Sequence, residues 1–202
     1  MKKVLLLGAT GTLGRALADR MVSDTDHEIT LFSRHSSKLK IKGNVRLVEG
    51  DAAKESDLSA AMEGQDVIVC VISGYQLPDI AKNLVSCMDK LGNKRLIFTG
   101  AVGIYDEIPA GNGEQYNVSN EPPQVPNRKA VDILEASDLS YTILRPGFLR
   151  DGAEDDYVLT MKGEAAKGYM TTIPSLIKLI EKLIEDDDLY VRESVSITKN
   201  MA

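Results

Sequence analysis

The chain is short of the residues that mark metal centres, disulfide scaffolds and membrane spans. In 202 residues it has two histidines and two cysteines. His27 and His35 stand at no metal-ligand spacing to each other or to a cysteine, so no metal site is expected. Cys70 falls in a strand-like apolar run and Cys87 in a helix-like one, the pattern of buried, reduced thiols rather than of a disulfide framework. No apolar run approaches the roughly 20 residues of a membrane-spanning helix. The run behind Lys2-Lys3 is only about four residues long before glycine and threonine interrupt it, too short for the apolar region of a signal peptide. Both absences give a cytoplasmic expectation. Positive charge is scarce as well. Its 24 Lys and Arg against 30 Asp and Glu leave a net charge of −6, which argues against general binding to nucleic-acid phosphates. No repeat, linker or second domain is visible, and the length suits one domain with a substantial core.

What the chain does have is concentrated at its start. In Val4-Leu5-Leu6-Leu7-Gly8-Ala9-Thr10-Gly11-Thr12-Leu13-Gly14 an apolar run turns through three glycines into a helical pattern. Consecutive apolar residues mark a strand buried on both faces, and Leu13, Ala16, Leu17 and Met21 fall on one side of a helix. Glu28-Ile29-Thr30-Leu31-Phe32 follows as a β-branched and aromatic strand, so residues 3–33 form one βαβ unit around the glycine turn. That spacing suits a dinucleotide. One glycine turns the chain, one admits the pyrophosphate, one lets helix meet strand, and the helix N–H groups face the phosphates. Gly8, Thr10, Gly11, Thr12, Leu13 and Gly14 are the expected pyrophosphate site.

An NAD site carries a carboxylate after the second strand, on the ribose hydroxyls. Here the chain reads Ser33-Arg34-His35-Ser36-Ser37-Lys38. Arginine offers a planar fork of donors, so Ser33, Arg34 and Lys38 suit a ribose 2′-phosphate; the competing reading is a solvated basic loop. NADP(H) is therefore the preferred cofactor, with NAD(H) still compatible.

Strands and helices go on alternating down the chain. Residues 45–51 form a third strand, with Asp51 either bonding the adenine amino group or capping a helix at 54–63. Residues 66–74 form a fully buried strand whose small-residue turn would bring Ile72, Ser73 and Gly74 to the cofactor. A helix carrying Ile80, Leu84, Cys87, Met88 and Leu91 stops at Gly92, and residues 95–101 make strand five. Residues 102–126 lose all periodicity and read as part of a substrate lid or as a merely mobile segment; residues 150–172 are a second lid element. Ala130, Val131, Ile133 and Leu134 mark a helix through about Ser137, followed by a strand at 140–147. Short strands are expected at 157–160 and 195–198. Between them Pro174 opens a helix with Leu176, Ile177, Leu179, Ile180, Leu183 and Ile184 inward. The expected fold is α/β: a Rossmann-type doubly wound, mainly parallel sheet with helices on both faces, in one domain over residues 1–202.

This ordered set resembles the atypical short-chain dehydrogenase/reductases, in the NAD(P)-binding, NmrA-like and flavin-reductase-like subgroup. Its carriers are Gly8-x-x-Gly11-x-x-Gly14, Gly50-Asp51, Thr99-Gly100-Ala101, the stretch 129–149 with Leu139-Ser140-Tyr141-Thr142-Ile143-Leu144-Arg145-Pro146-Gly147-Phe148, and residues 173–198. The likeness spans nearly the whole chain. It implies that Lys129 holds the nicotinamide ribose and that Pro146, Gly147 and Phe148 face the nicotinamide. The larger family moves its proton with a Tyr-x-x-x-Lys pair, in which the lysine lowers the tyrosine's pKa. Lys129 stands at the lysine's place, but Val125 stands four residues earlier, and no tyrosine in the chain has a lysine four places on. Thr99 is the hydroxyl nearest the place of the assisting serine. Lys129 and Thr99 are thus the candidate catalytic residues.

That departure implies a kind of acceptor. Reducing a carbonyl makes an alkoxide, which needs an acid or oxyanion donors. A reduced flavin or quinone spreads its charge and takes protons from water. The resemblance implies an NADPH-dependent oxidoreductase passing hydride to a flavin, quinone or similar small acceptor, with flavin a substrate only. The alternatives are an NmrA-like, non-catalytic NADP redox sensor with a protein partner, and a sugar-nucleotide epimerase or dehydratase. The missing tyrosine and the short C-terminal region speak against the last. The expected partners are a small-molecule acceptor and at most a second copy in a homodimer, with no nucleic acid and no membrane.

Overall fold

A computed structural model describes residues 1–92 and 95–200. In chain order its elements are β1 (Lys3–Leu7), α1 (Thr12–Asp24), β2 (Glu28–Ser33), β3 (Val45–Glu49), α2 (Glu55–Met62), β4 (Val67–Cys70), α3 (Leu77–Leu91) and β5 (Arg95–Thr99). There follow α4 (Val125–Glu135), β6 (Tyr141–Pro146), β7 (Phe148–Arg150), β8 (Val158–Met161), β9 (Met170–Thr172), α5 (Ile173–Glu185) and β10 (Glu193–Thr198). Eight strands form one sheet in the order β3-β2-β1-β4-β5-β6-β10-β8, while β7 and β9 pair separately. Every pairing is parallel except β8 with β10.

The central strand shows why its sequence is a continuous apolar run. Val4 and Leu6 point into a core closed by α1 and α5, and Leu5 and Leu7 into a second core closed by α2, α3 and α4. A strand covered on both faces has no solvent side on which a polar residue would be favoured. In α5 all six apolar residues named from the sequence are buried, and the Thr172 hydroxyl accepts the Ser175 N–H at 3.4 Å to cap its start. α3 opens earlier than its apolar spacing suggests, at Leu77, because Pro78 fits a first helical turn. Strand order reverses between β1 and β4. In such a sheet the crevice for a ligand lies at the carboxyl ends of those strands.

Two segments expected as lid elements carry structure of their own. Within 150–172, β8 answers to the strand expected at 157–160 and forms an edge of the main sheet, while β9 pairs with β7. Residues 102–124 are irregular but fastened. The Asn117 amide accepts the Ile108 N–H at 3.0 Å and donates to the Ile108 carbonyl at 2.9 Å. Glu107 forms a buried ion pair with Arg145 of β6, whose other guanidinium nitrogen donates to the Ser194 and Thr160 carbonyls. The Tyr105 hydroxyl donates to Glu135 at 2.7 Å, and burial pushes its pKa up. These long-range ties leave no periodic mark in the sequence.

Candidate dinucleotide site and adjoining cavity

A cleft of about 430 Å3 opens at the carboxyl ends of β1, β2, β3 and β4. Its walls include Gly8, Thr10 and Gly11 after β1, Ser33 and Arg34 after β2, Asp51 after β3, and Ile72, Ser73 and Gly74 after β4. Residues separated by tens of positions in the chain are thus brought together as the sequence reading requires.

The three glycines of the turn have separable causes. Gly8 has φ +94°, a left-handed conformation that a side chain disfavours, and its N–H donates to the Phe32 carbonyl at 3.0 Å. A Cβ on Gly14 would sit 2.1 Å from the Gly8 carbonyl oxygen, so the closeness of helix and turn requires glycine there. Gly11 is different. Its φ of −72° and ψ of 171° suit any residue, and a Cβ there would meet nothing closer than 3.5 Å. The fold itself therefore does not require glycine at this position. Thr12 and Leu13 then begin α1, whose first turn has neither a side-chain cap nor an acidic residue. Its N–H groups and dipole are left for an anion. Arg34 is exposed and makes no hydrogen bond or ion pair among the described residues, so its guanidinium is free at the cleft. Ser33 is buried, with its hydroxyl accepting the His35 N–H at 3.3 Å. The pyrophosphate of a dinucleotide fits this donor set.

Other assignments change. Lys38 lines a separate depression beside Arg15 and Asp19 rather than the cleft, because a short helical turn at 36–38 carries it away. Asp51 does not cap α2. Its carboxylate accepts the Ala53 N–H at 3.0 Å in a local turn, and Lys54 is the residue at the helix start. Thr99 donates its hydroxyl to the Cys70 carbonyl at 3.2 Å, tying β5 to β4, and lines neither the cleft nor the cavity described next. Lys129 is exposed on α4, one turn after Val125, and also lines neither. Cys70 and Cys87 are buried free thiols.

At the carboxyl ends of β5 and β6 lies a smaller cavity of about 110 Å3, lined by Ala101, Val102, Tyr116, Gln124, Pro146, Gly147, Phe148 and Tyr169. Pro146, Gly147 and Phe148, expected to face the nicotinamide, thus share the wall of this cavity and not that of the larger cleft. Tyr116, Gln124 and Tyr169 were missed by the sequence reading, and so were Tyr75 and Gln76 at the cleft. Only Tyr75 had a signal, since it follows Ser73-Gly74 directly. Another hollow, of about 450 Å3, opens at the opposite, amino-terminal edge of the sheet around His27, Glu28, Arg46 and Glu63. Its walls include neither the Gly8–Gly14 turn nor the start of α1, so the cofactor is assigned to the carboxyl edge.

A doubly wound sheet with an unspent glycine turn at its switch point defines a dinucleotide-binding protein. The chain belongs to the NAD(P)H-binding family, whose model matches residues 8–187. An uncharacterized sugar epimerase, YhfK of Bacillus subtilis, is 31% identical over 162 residues, covering 74% of this chain and 73% of the relative. A Rossmann-fold NAD(P)-binding family protein from Shigella flexneri superposes with a TM-score of 0.85 at 31% identity, over 100% of this chain and 95% of the other. A short-chain dehydrogenase/reductase of Veillonella parvula in complex with NADP superposes with a TM-score of 0.85 at 24% identity, over 100% and 96% of the two chains. That last likeness speaks for the fold.

Proposed function

We propose that this chain is an NADPH-dependent reductase that passes hydride to a small acceptor of the quinone or flavin kind, without the family's tyrosine acid. The observation that carries the reading is the pairing of two hollows on one edge of the sheet. One has unspent anion donors, and beside it lies a cavity with no charged side chain in its wall among the described residues. The nicotinamide, when bound, supplies the hydride. The N–H groups of Thr12 and Leu13 bind the pyrophosphate, and Arg34 selects the 2′-phosphate. Gly147 sets the end of β6: its N–H donates to the Thr171 hydroxyl at 2.7 Å, and a Cβ there would lie 2.3 Å from the Tyr169 carbonyl.

The name of the Bacillus relative favours epimerisation as the second reading. That chemistry needs groups that take and return a proton or hydride at a sugar carbon. Val125 offers no such group where the larger family has its tyrosine.

The test is oxidation of NADPH and NADH by the purified protein with a panel of quinones and flavins. Turnover with NADPH ahead of NADH is expected. Tight NADPH binding with no turnover on any acceptor would replace this reading with that of a sensor. Absence of binding to either dinucleotide would overturn both.

A further inference from the structure

We infer that the cavity of Tyr116, Phe148 and Tyr169 takes an uncharged acceptor with a single conjugated ring, a benzoquinone in chemical class. This rests on the reductase reading and narrows it. The cavity sits where β5 and β6 end, against Pro146 and Gly147, on the same edge of the sheet as the cofactor cleft. Its volume of about 110 Å3 is well below the roughly 300–1,000 Å3 of pockets for drug-sized ligands. A single ring suits that space; the three fused rings of a flavin do not.

The wall chemistry points the same way. The Tyr116 and Phe148 rings meet edge to face, with centroids 4.6 Å apart and planes at 74°. Tyr116 and Tyr169 lie 5.3 Å apart with planes at 41°. Three rings at differing tilts offer faces and edges to another ring. Phe148 is 46% exposed, a large apolar side chain that a bound ring would cover. No Lys, Arg, His, Asp or Glu among the described residues lines the cavity. A phosphate or sulfonate on the acceptor would be desolvated there with no counter-charge. The one side-chain amide is that of Gln124. It accepts from Asn127 at 2.9 Å and donates one N–H to the Val102 carbonyl at 3.5 Å, leaving its second N–H for an acceptor oxygen.

The walls are also built to hold still. A Cβ on Gly113 would fall 2.5 Å from the Tyr169 ring, and one on Gly147 would meet the Tyr169 backbone, so Tyr169 is seated between two glycines. The Tyr116 N–H closes a turn on the Gly113 carbonyl at 2.9 Å. Pre-organised rings lose little entropy when they receive a ligand. For a benzoquinone the reaction balances simply. NADPH gives a hydride, water gives one proton, and the products are hydroquinone and NADP⁺.

The experiment compares 1,4-benzoquinone, a benzoquinone bearing a sulfonate, and FMN under saturating NADPH, with calorimetry of hydroquinone binding to the NADP⁺-loaded protein. The expected result is a kcat/KM for benzoquinone at least about tenfold above the other two. Tyr116→Leu and Tyr169→Leu should each raise the benzoquinone KM by about tenfold, the worth of one lost ring contact, with NADPH affinity unchanged. Hydroquinone binding should weaken in parallel. FMN or the sulfonate matching benzoquinone overturns the inference, as do variants whose KM and hydroquinone affinity equal those of the wild type. A protein that binds hydroquinone but turns over nothing refutes the reductase reading and keeps the ring site. A protein that does neither refutes both.

Discussion

At Gly14 an added Cβ would lie 2.1 Å from a backbone oxygen, whereas at Gly11 it would have ordinary room. The two glycines of one motif should therefore fail in different ways. Gly14→Ala forces helix and turn apart and should cost about 1–3 kcal/mol of stability, read by denaturant unfolding. Gly11→Ala should leave the thermal midpoint unchanged or slightly raised, since its backbone angles already suit alanine. Its NADPH affinity, measured by calorimetry, should fall by about tenfold or more as phosphate hydrogen bonds are lost. Arg34→Ala removes a charge-assisted contact to the 2′-phosphate and should weaken NADPH by about 10- to 100-fold, with little change for NADH. An equal loss for both would take Arg34 out of that role. The identity of these residues was legible from spacing alone. The division of labour among the glycines was not, because it depends on which atom each faces across the turn.

Among the elements, β1 and α5 were written plainly in the sequence, as an apolar run and a one-sided stripe. The segment 102–124 was not. Its order comes from Asn117 clasping Ile108 and from Glu107 reaching Arg145, contacts with no local period. Arg145 is fully buried, so removal of its partner leaves a buried, unpaired charge. Glu107→Ala should cost about 3–5 kcal/mol in equilibrium unfolding. A loss within experimental error would mean that the pair contributes nothing net and that the segment is held by its apolar residues. Because Tyr116 and Gln124 belong to the same segment, loosening it should also raise the KM of the acceptor more than that of NADPH.

For the whole molecule, ligand and pH effects follow from the same geometry. A cofactor that binds only the folded state stabilises it by about 2.7 kcal/mol at 100 times its dissociation constant. For a chain of this size that is a rise of about 5–10 °C in thermal midpoint, and NADH at the same concentration should give less. Burial pushes the Cys70 thiol from about 9 up to about 12. The folded state thus holds its proton where the unfolded chain loses it. That contribution to stability is complete below pH 9 and is lost as pH rises toward 12, which unfolding curves in alkaline buffers would show. A thiol reagent should find both cysteines only after denaturation. No helix among the described residues is long and apolar enough to cross a membrane.

Legible from the chain alone were the opening βαβ unit, the alternation of strands and helices, and the presence of Ser33-Arg34 rather than a carboxylate after β2. These are local facts, carried by periodicity and by the spacing of glycines within one turn. It took the folded molecule to show that Gly11 has room for a side chain where Gly14 has none, and that Asp51 closes a turn instead of a helix. The tertiary structure also decided that Lys38 lies outside the cleft and that β8 belongs to the main sheet. The aromatic cavity likewise exists only once the folded sheet brings Tyr116, Phe148 and Tyr169 to one edge. Spacing along the chain fixes what each segment can be. Which distant groups meet depends on how the layers close over one another.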